Sequence, residues 1–103
     1  MTLEDLKTRC DTNNLQYKYG FVEDNTEPPY LCGIVAETNN FIADNKVYKK
    51  IQSIELYYVY KRKNVTTEEL IENTILEGVV WRKGEEAYFS KENVWQIIYY
   101  FDI

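Results

Sequence analysis

The pattern of apolar and polar residues predicts three strands in the first half of the chain. Residues 15–21 alternate with a period of two, which is typical of a strand with one buried face. Residues 30–38 are almost continuously apolar, which indicates a strand covered on both faces. Residues 47–60 are long enough for a third strand, and the change of apolar parity near Gln52 predicts a bulge or twist there.

Two segments carry the signals that start a helix. Thr66 is the predicted N-cap of the second helix, and Glu69 can complete a capping box with it. That helix should run for about three turns and end near Gly78, where a left-handed residue is expected. Thr2 can cap the first helix, which is short and has one apolar stripe formed by Leu3, Leu6 and Cys10.

The last quarter of the chain predicts a hairpin. Residues 79–81 and 87–89 form one strand, and residues 90–93 turn into a final strand over 94–101. The predicted order is therefore helix, three strands, helix, two strands, in a single domain of residues 1–103. We expect an α+β fold in which two helices cover one face of a small, mostly antiparallel sheet of four to five strands.

Both faces of the final strand are apolar, which changes the expectation for the second face of the sheet. One parity holds Trp95, Ile97, Tyr99 and Phe101, and the other holds Val94, Ile98 and Tyr100. If the helices cover one face, the other should meet another subunit, because tyrosine and tryptophan are enriched at interfaces. The alternative is a stacking platform for single-stranded nucleic acid, in which Tyr57, Tyr58 and Tyr60 interleave with nearby bases.

The composition disfavours several classes of function. The formal net charge of −5 is the wrong sign for general binding to phosphate backbones. The chain has no histidine, and Cys10 and Cys32 lack the close paired spacing of zinc or dithiol sites. Neighbouring acids such as Glu68 and Glu69 do not converge on one reacting centre. We expect neither an enzyme nor a metal or cofactor site.

The charge is also unevenly distributed. Residues 46–63 hold six bases and one acid, a net charge of +5, so the remaining six bases and sixteen acids give −10. One interpretation is an edge strand guarded by lysines. The other is a charged face that meets the acidic face of another copy of the chain.

Nothing in the chain predicts export or membrane insertion. The first five residues lack the basic segment and apolar run of a secretory signal, so we expect both thiols to stay reduced in a cytoplasm. The longest apolar stretch, residues 30–36, is far shorter than the roughly 18 residues that a membrane-spanning helix needs.

An ordered set of short motifs resembles a known family. Pro28-Pro29-Tyr30 is followed by Ala43-Asp44-Asn45-Lys46-Val47-Tyr48, then by Ile54-Glu55-Leu56-Tyr57, a short Glu-rich helix and an aromatic closing hairpin. In this order, and over essentially the whole chain, these features resemble the tail-terminator proteins of long-tailed phages and prophages of Gram-positive bacteria. These are also called tail-completion or tail-to-head joining proteins.

The resemblance implies a structural role in the virion. Members of this family form rings of six on the last ring of the tail tube, stop its growth and present a surface to the head connector. The implied partners are other copies of the chain, the major tail tube protein and the head–tail connector, with no membrane and no specific nucleic acid. The implied location is the head-proximal end of the tail, after assembly in the host cytoplasm. The alternatives are another neck or minor tail subunit, or a small single-strand nucleic-acid-binding protein.

The candidate interface residues lie in two segments. Phe41 and Ile42 are large apolar residues within a segment otherwise rich in turn formers, so we expect either contact with the tube or ring, or a small cluster folded back under the loop. The full candidate set is Phe41, Ile42, Asn45, Tyr48, Tyr58, Tyr60, Lys61, Arg62 and Lys63.

The chain departs from the family pattern at two points. Relatives tend to have a turn with acids among the lysines after Ile54-Glu55-Leu56-Tyr57, whereas residues 58–63 here are apolar and then basic. Cys32 also replaces a more usual aliphatic residue, although a buried thiol packs as a small hydrophobe.

Overall fold

The computed structural model describes the backbone of residues 1–38, 41–43 and 46–103, and the side chains of residues 1–38 and 50–103. Within these ranges the chain forms two α-helices, a π-helical turn and seven strands. The elements are α1 (Leu3–Thr12), β1 (Tyr17–Tyr19), β2 (Tyr30–Thr38), β3 (Phe41–Ala43), β4 (Lys46–Lys49), β5 (Gln52–Tyr60), α2 (Val65–Leu70), the π turn (Ile71–Ile75), β6 (Trp81–Phe89) and β7 (Val94–Asp102).

Five of the strands form one mixed sheet in the order β1-β2-β5-β7-β6. β1 runs parallel to β2, and every other neighbouring pair is antiparallel. The predicted α+β class is confirmed, and so is a mostly antiparallel sheet with helices on one face. The central strand is β5, which pairs with β2 on one side and β7 on the other.

The first helix begins as the sequence predicts. The Thr2 hydroxyl accepts a hydrogen bond of 3.0 Å from the Asp5 backbone N–H, and the Asp5 carboxylate accepts one of 2.9 Å from the Thr2 backbone N–H. This capping box satisfies two donors that a helix start would otherwise leave unpaired. Leu6 and Cys10, one turn apart, are fully buried against the sheet.

The second helix starts two residues earlier than predicted. Its N-cap is Asn64, whose side-chain oxygen accepts from the Thr67 backbone N–H at 3.2 Å, so the prediction of Thr66 as the cap is wrong. Asparagine is at least as good an N-cap as threonine, which explains the earlier start. The helix continues as a π turn, closed by a 2.9 Å bond from the Leu76 N–H to the Ile71 carbonyl. Gly78 follows at φ +79°, as expected for the end of a helix.

The predicted third strand is two strands. Residues 47–60 divide into β4 and β5, separated by Lys50 and Ile51. β4 pairs with β3 in a separate two-stranded sheet, so the segment predicted to be a turn-rich loop contains a strand, Phe41–Ala43. The last pair in the β2–β5 ladder is Thr38–Gln52. We call the residues between them, 39–51, the arm.

The core lies between the helices and one face of the five-stranded sheet. Buried residues from both helical segments and from β2, β5 and β7 form one cluster: Leu6, Cys10, Leu31, Ile54, Leu56, Tyr58, Tyr60, Ile71, Ile75, Leu76, Ile97, Tyr99 and Phe101. We call this side of the sheet the covered face. On β5 and β7 these residues alternate along the strand, as the parity in the sequence predicts.

Candidate interaction surfaces

The other side of the sheet, which we call the open face, is also apolar. Strand register places the residues of the second parity side by side, because Cys32 pairs with Tyr57, and Tyr57 pairs with Ile98. Among the described elements no helix packs on this side. The apolar residues of the open face are Tyr30, Cys32 and Ile34 of β2, Tyr57 and Val59 of β5, Ala87 and Phe89 of β6, and Val94, Ile98 and Tyr100 of β7.

Most of these side chains are half-buried, because neighbours on adjacent strands shield one another. The four long strands, β2, β5, β7 and β6, have nine residues each. At about 3.3 Å per residue and about 4.8 Å between strands, they span a flat area of about 600 Å². A standard protein–protein interface buries about 800 Å² on each partner. The open face is therefore comparable in extent to one side of a standard protein–protein interface.

The few polar groups on the open face pair with aromatic rings. The Tyr57 hydroxyl donates a 2.5 Å hydrogen bond to the Glu55 carboxylate, and this bond raises the pKa of Tyr57 to about 12. The Arg82 guanidinium lies 4.3 Å from the centroid of the Tyr100 ring, a cation–π contact. Gly84 makes room for that ring, since a Cβ there would lie 2.9 Å from Tyr100 Cε2.

Two candidate tyrosines lie on the covered face. Tyr58 and Tyr60 are each 2% exposed, and their rings stack with centroids 4.8 Å apart. The prediction of Tyr58 and Tyr60 as interface residues is therefore wrong, because buried rings offer no surface to a partner. The adjacent Tyr57, of the opposite parity, is half-buried on the open face instead.

The remaining apolar candidates belong to the arm. Phe41 and Ile42 are in β3 and Tyr48 is in β4, where Phe41 pairs with Lys49 and Ile42 with Val47 in the backbone ladder. Asn45 lies outside the described residues. The arm therefore brings three candidates together on one two-stranded sheet.

The basic segment divides between two places in the fold. Lys46 and Lys49 are in β4, whereas Lys61, Arg62 and Lys63 follow the far end of β5, a strand of nine residues. The prediction of one basic face is wrong for this reason. The guarded-edge interpretation fails for Lys61, Arg62 and Lys63, because they follow β5, the central strand of the five-stranded sheet. It stays a prediction for Lys46 and Lys49, because β4 belongs to a two-stranded sheet and is therefore an edge strand.

The basic triplet is exposed but largely paired within the chain. Lys61 Nζ lies 3.0 Å from the Glu27 carboxylate, and Lys63 Nζ lies 2.7 Å from that of Glu86 and 2.8 Å from that of Glu68. Two of the three candidate bases therefore already have acidic partners. Arg62 is exposed and has no ion pair with a described residue.

Glu68 is the one buried charged residue in the described part of the chain, and sequence analysis missed it as the centre of a network. Its side chain is 4% exposed and contacts two ammonium groups, those of Lys63 and Lys83. Lys83 Nζ also lies 2.8 Å from Glu72. We call this group the charged clamp and define it as Lys63, Glu68, Glu72, Lys83 and Glu86, together with the hydroxyls of Tyr60 and Tyr99 that donate to Glu86 and Glu72.

Contacts within the clamp shift the pKa values of Lys63, Glu68, Lys83 and Glu86 so that their charged forms are favoured. Desolvation raises the pKa of Glu68, but hydrogen bonds from Lys63 and Lys83 outweigh it and hold the pKa below its usual range. Hydrogen bonds to Glu68 and Glu86 raise the pKa of Lys63. Burial raises the pKa of Tyr99, and the hydrogen bond to Glu72 raises it further. Lys63, Glu68, Lys83 and Glu86 are therefore charged, and Tyr60 and Tyr99 are neutral, near neutral pH.

Comparisons and searches leave the family unassigned. No protein-family model matches the chain, and a search of curated proteins finds no match. Among residues 1–38, 41–43 and 46–103, no cluster of three or more metal-ligating side chains is present. Within the same ranges, no helix is long and apolar enough to span a membrane.

Proposed function

We propose that this protein is a structural assembly protein that acts as a tail terminator of a long-tailed phage or prophage. It forms a ring on the head-proximal end of the tail tube, ends tube polymerisation and presents a surface to the head connector. No reaction and no cofactor are involved. The observation that carries an assembly role is the open face, a half-buried aromatic and aliphatic sheet surface that no described element covers.

The open face and the arm supply two different kinds of contact for such a ring. A cyclic ring uses heterologous contacts, in which one patch of a subunit meets a different patch on the next. The open face is broad and apolar, whereas the arm carries Lys46, Lys49 and Lys50 against one acid, Asp44. Outside the arm the chain has a net charge of −7, from the total of −5 less the arm's +2. The basic arm of one subunit is thus complementary in charge to the body of another.

The specific assignment to tail terminators rests on the resemblance of the motif order, which spans essentially the whole chain. The fold is compatible with that resemblance, since an α+β sheet with helices on one face is what it implies. The nucleic-acid alternative is not favoured. Two of its three tyrosines, Tyr58 and Tyr60, are buried, and Lys61 and Lys63 are paired with acids.

Electron microscopy of particles from a phage or prophage that lacks this gene tests the proposal. The expected result is overlong tails beside heads without tails, restored to normal by the wild-type gene. Tails of normal length that fail to join heads would instead indicate another neck subunit. Intact virions would overturn a structural role altogether.

A further inference from the structure

β6 is the long unprotected edge of the sheet. It has nine residues, it is last in the strand order, and no strand in the described part of the chain pairs with its outer side. Such an edge presents unpaired backbone N–H and C=O groups to which a strand of another molecule can add. An exposed edge of this length therefore needs some feature that blocks such pairing.

A bulge interrupts β6 at its middle. The backbone pairing passes from Lys83–Tyr99 directly to Glu86–Ile97, so that two residues of β6, Gly84 and Glu85, lie opposite one residue of β7. A bulge increases the local twist and breaks the regular spacing of the outer hydrogen-bonding groups. It therefore makes the edge a poor template for strand addition.

The charged clamp forms ion pairs with the residues on both sides of this bulge. Lys83, immediately before it, binds Glu68 and Glu72 at 2.8 Å each. Glu86, immediately after it, binds Lys63 at 2.7 Å. The partners belong to the segment 63–72, which packs on the covered face and is not part of the sheet edge. The two ends of the bulge are thus tied to a separate element of the fold.

We propose that the charged clamp holds the β6 bulge in place and thereby prevents the β6 edge from adding strands of other copies of this chain. Opening the clamp frees the flanks of the bulge, so that one of them can shift its pairing with β7 by one residue; the outer edge then becomes regular and is a site for strand addition. The buried position of Glu68 fits this role, since salt screens an ion pair shielded from solvent less than an exposed one. This inference does not depend on the proposed function.

The first test opens the clamp by Lys83→Met, which keeps most of the side-chain length and removes its charge. The matched control is Lys7→Met, because Lys7 is an exposed lysine whose contact with Asp11, at 3.9 Å, is on α1 and far from β6. Hydrogen exchange of the folded proteins should show β6 amides at least about tenfold faster in Lys83→Met, with β2 and β5 unchanged. Thioflavin T fluorescence and sedimentation velocity should show open-ended assembly of Lys83→Met alone.

The second test removes the bulge and leaves the clamp intact. Deletion of Glu85 restores one-to-one pairing between β6 and β7 and keeps Lys83 and Glu86 on the covered face, because alternate residues share a face. This variant should protect β6 amides as well as or better than the wild type, and it should still form open-ended assemblies. Relative to the wild type, β6 amides should thus exchange faster in Lys83→Met and no faster in the Glu85 deletion, whereas both variants should form open-ended assemblies.

Three results would overturn the proposal. Unchanged β6 exchange in Lys83→Met would show that the clamp does not hold the bulge. Faster exchange without open-ended assembly would show that the bulge does not guard the edge. A Glu85 deletion that folds and stays as soluble as the Lys7→Met control would also show that the bulge does not guard the edge. This test holds even if Lys83→Met proves too unstable to purify.

Discussion

The covered and open faces of the sheet are built from the same kinds of residue but differ in what they contact. On β7, Ile97 is 1% exposed and packs under the helices, whereas the adjacent Ile98 is half-buried and packs only against neighbouring strands. Tyr58 on the covered face is similarly adjacent to Tyr57 on the open face. Apolar composition therefore does not identify the core of this protein. The position of two short helices decides which face is core and which face no described helix covers.

The largest expected difference between the faces comes from the matched substitutions Ile97→Ala and Ile98→Ala. Ile97→Ala leaves a cavity in the core, so the free energy of unfolding should fall by about 2–5 kcal/mol. Ile98→Ala removes a half-buried side chain with solvent beside it, and the loss should be about 1 kcal/mol. Urea denaturation of the isolated chain measures both. Equal losses would contradict the assignment of the two faces.

Gly84→Ala should destabilise the open face, although this face has no covering element. A Cβ at Gly84 would lie 3.0 Å from the Ile98 carbonyl oxygen, which is backbone and cannot turn aside, and 2.9 Å from the Tyr100 ring. We expect a loss of about 1–3 kcal/mol in the free energy of unfolding. Gly20→Ala is not a suitable control, because Gly20 has positive φ; Ala87→Gly on the same strand is a better one, and it should cost about 1 kcal/mol or less. A neutral Gly84→Ala would show that β6 and β7 are not so closely packed.

The charged clamp on the covered side should give stability a pH dependence that the open face does not produce. The lowered pKa values of Glu68 and Glu86 stabilise the fold above their ordinary value of 4.5, and this stability is lost as the pH falls through the folded-state values. The raised pKa values of Lys63 and Lys83 stabilise it below 10.5, and this is lost at higher pH. The raised tyrosine pKa values act in the same alkaline direction. The groups concerned are Tyr58, Tyr60, Lys63, Glu68, Lys83, Glu86 and Tyr99.

Calorimetry from pH 3 to pH 11 checks this dependence. The wild-type Tm should be highest between about pH 5 and pH 10 and fall on both sides. Lys83→Met should reduce the fall on both sides, because it removes one of the two cations from Glu68 and itself no longer titrates. A Tm profile of Lys83→Met that is parallel to that of the wild type would show that the clamp contributes little.

The smallest expected effect belongs to the exposed ion pair of Lys61 with Glu27. Both side chains are well exposed, and such pairs contribute between about 0 and 1 kcal/mol. Lys61→Met should therefore change the free energy of unfolding by less than about 1 kcal/mol, and the change should shrink in 1 M salt. A larger effect that persists in high salt would show that this end of β5 is more tightly packed than its exposure indicates.

Much of the fold could be predicted from the chain because its signals are local. The cap at Thr2, the left-handed Gly78 and the alternation along β5 and β7 each depend on residues close in sequence, and each is confirmed. The second helix start was misplaced because Asn64 and Thr66 are both good N-caps two residues apart. No proline or glycine marks the break between β4 and β5, so residues 47–60 suggested one strand.

The candidate surfaces were harder to predict because they depend on contacts that are distant in sequence. The second parity of β7 did predict an apolar face beyond the helices. The clamp could not be foreseen, since it joins Lys63 and Glu68 to Lys83 and Glu86 through the packing of a helix against an edge strand. Adjacent acids at Glu68 and Glu69 suggested only a favourable helix start. One of them is buried and the other is exposed, which only the fold decides.

The central claim is that the open face is the surface through which this protein assembles. The most direct measurement is electron microscopy of virions from a strain that lacks the gene and is complemented with Ile98→Asp. The matched control is Val65→Asp, an aliphatic-to-acid change at the exposed first residue of α2 on the opposite side of the molecule. Circular dichroism should show both variants folded. The account predicts normal virions with Val65→Asp, and overlong tails with detached heads with Ile98→Asp; normal virions with both variants would contradict it.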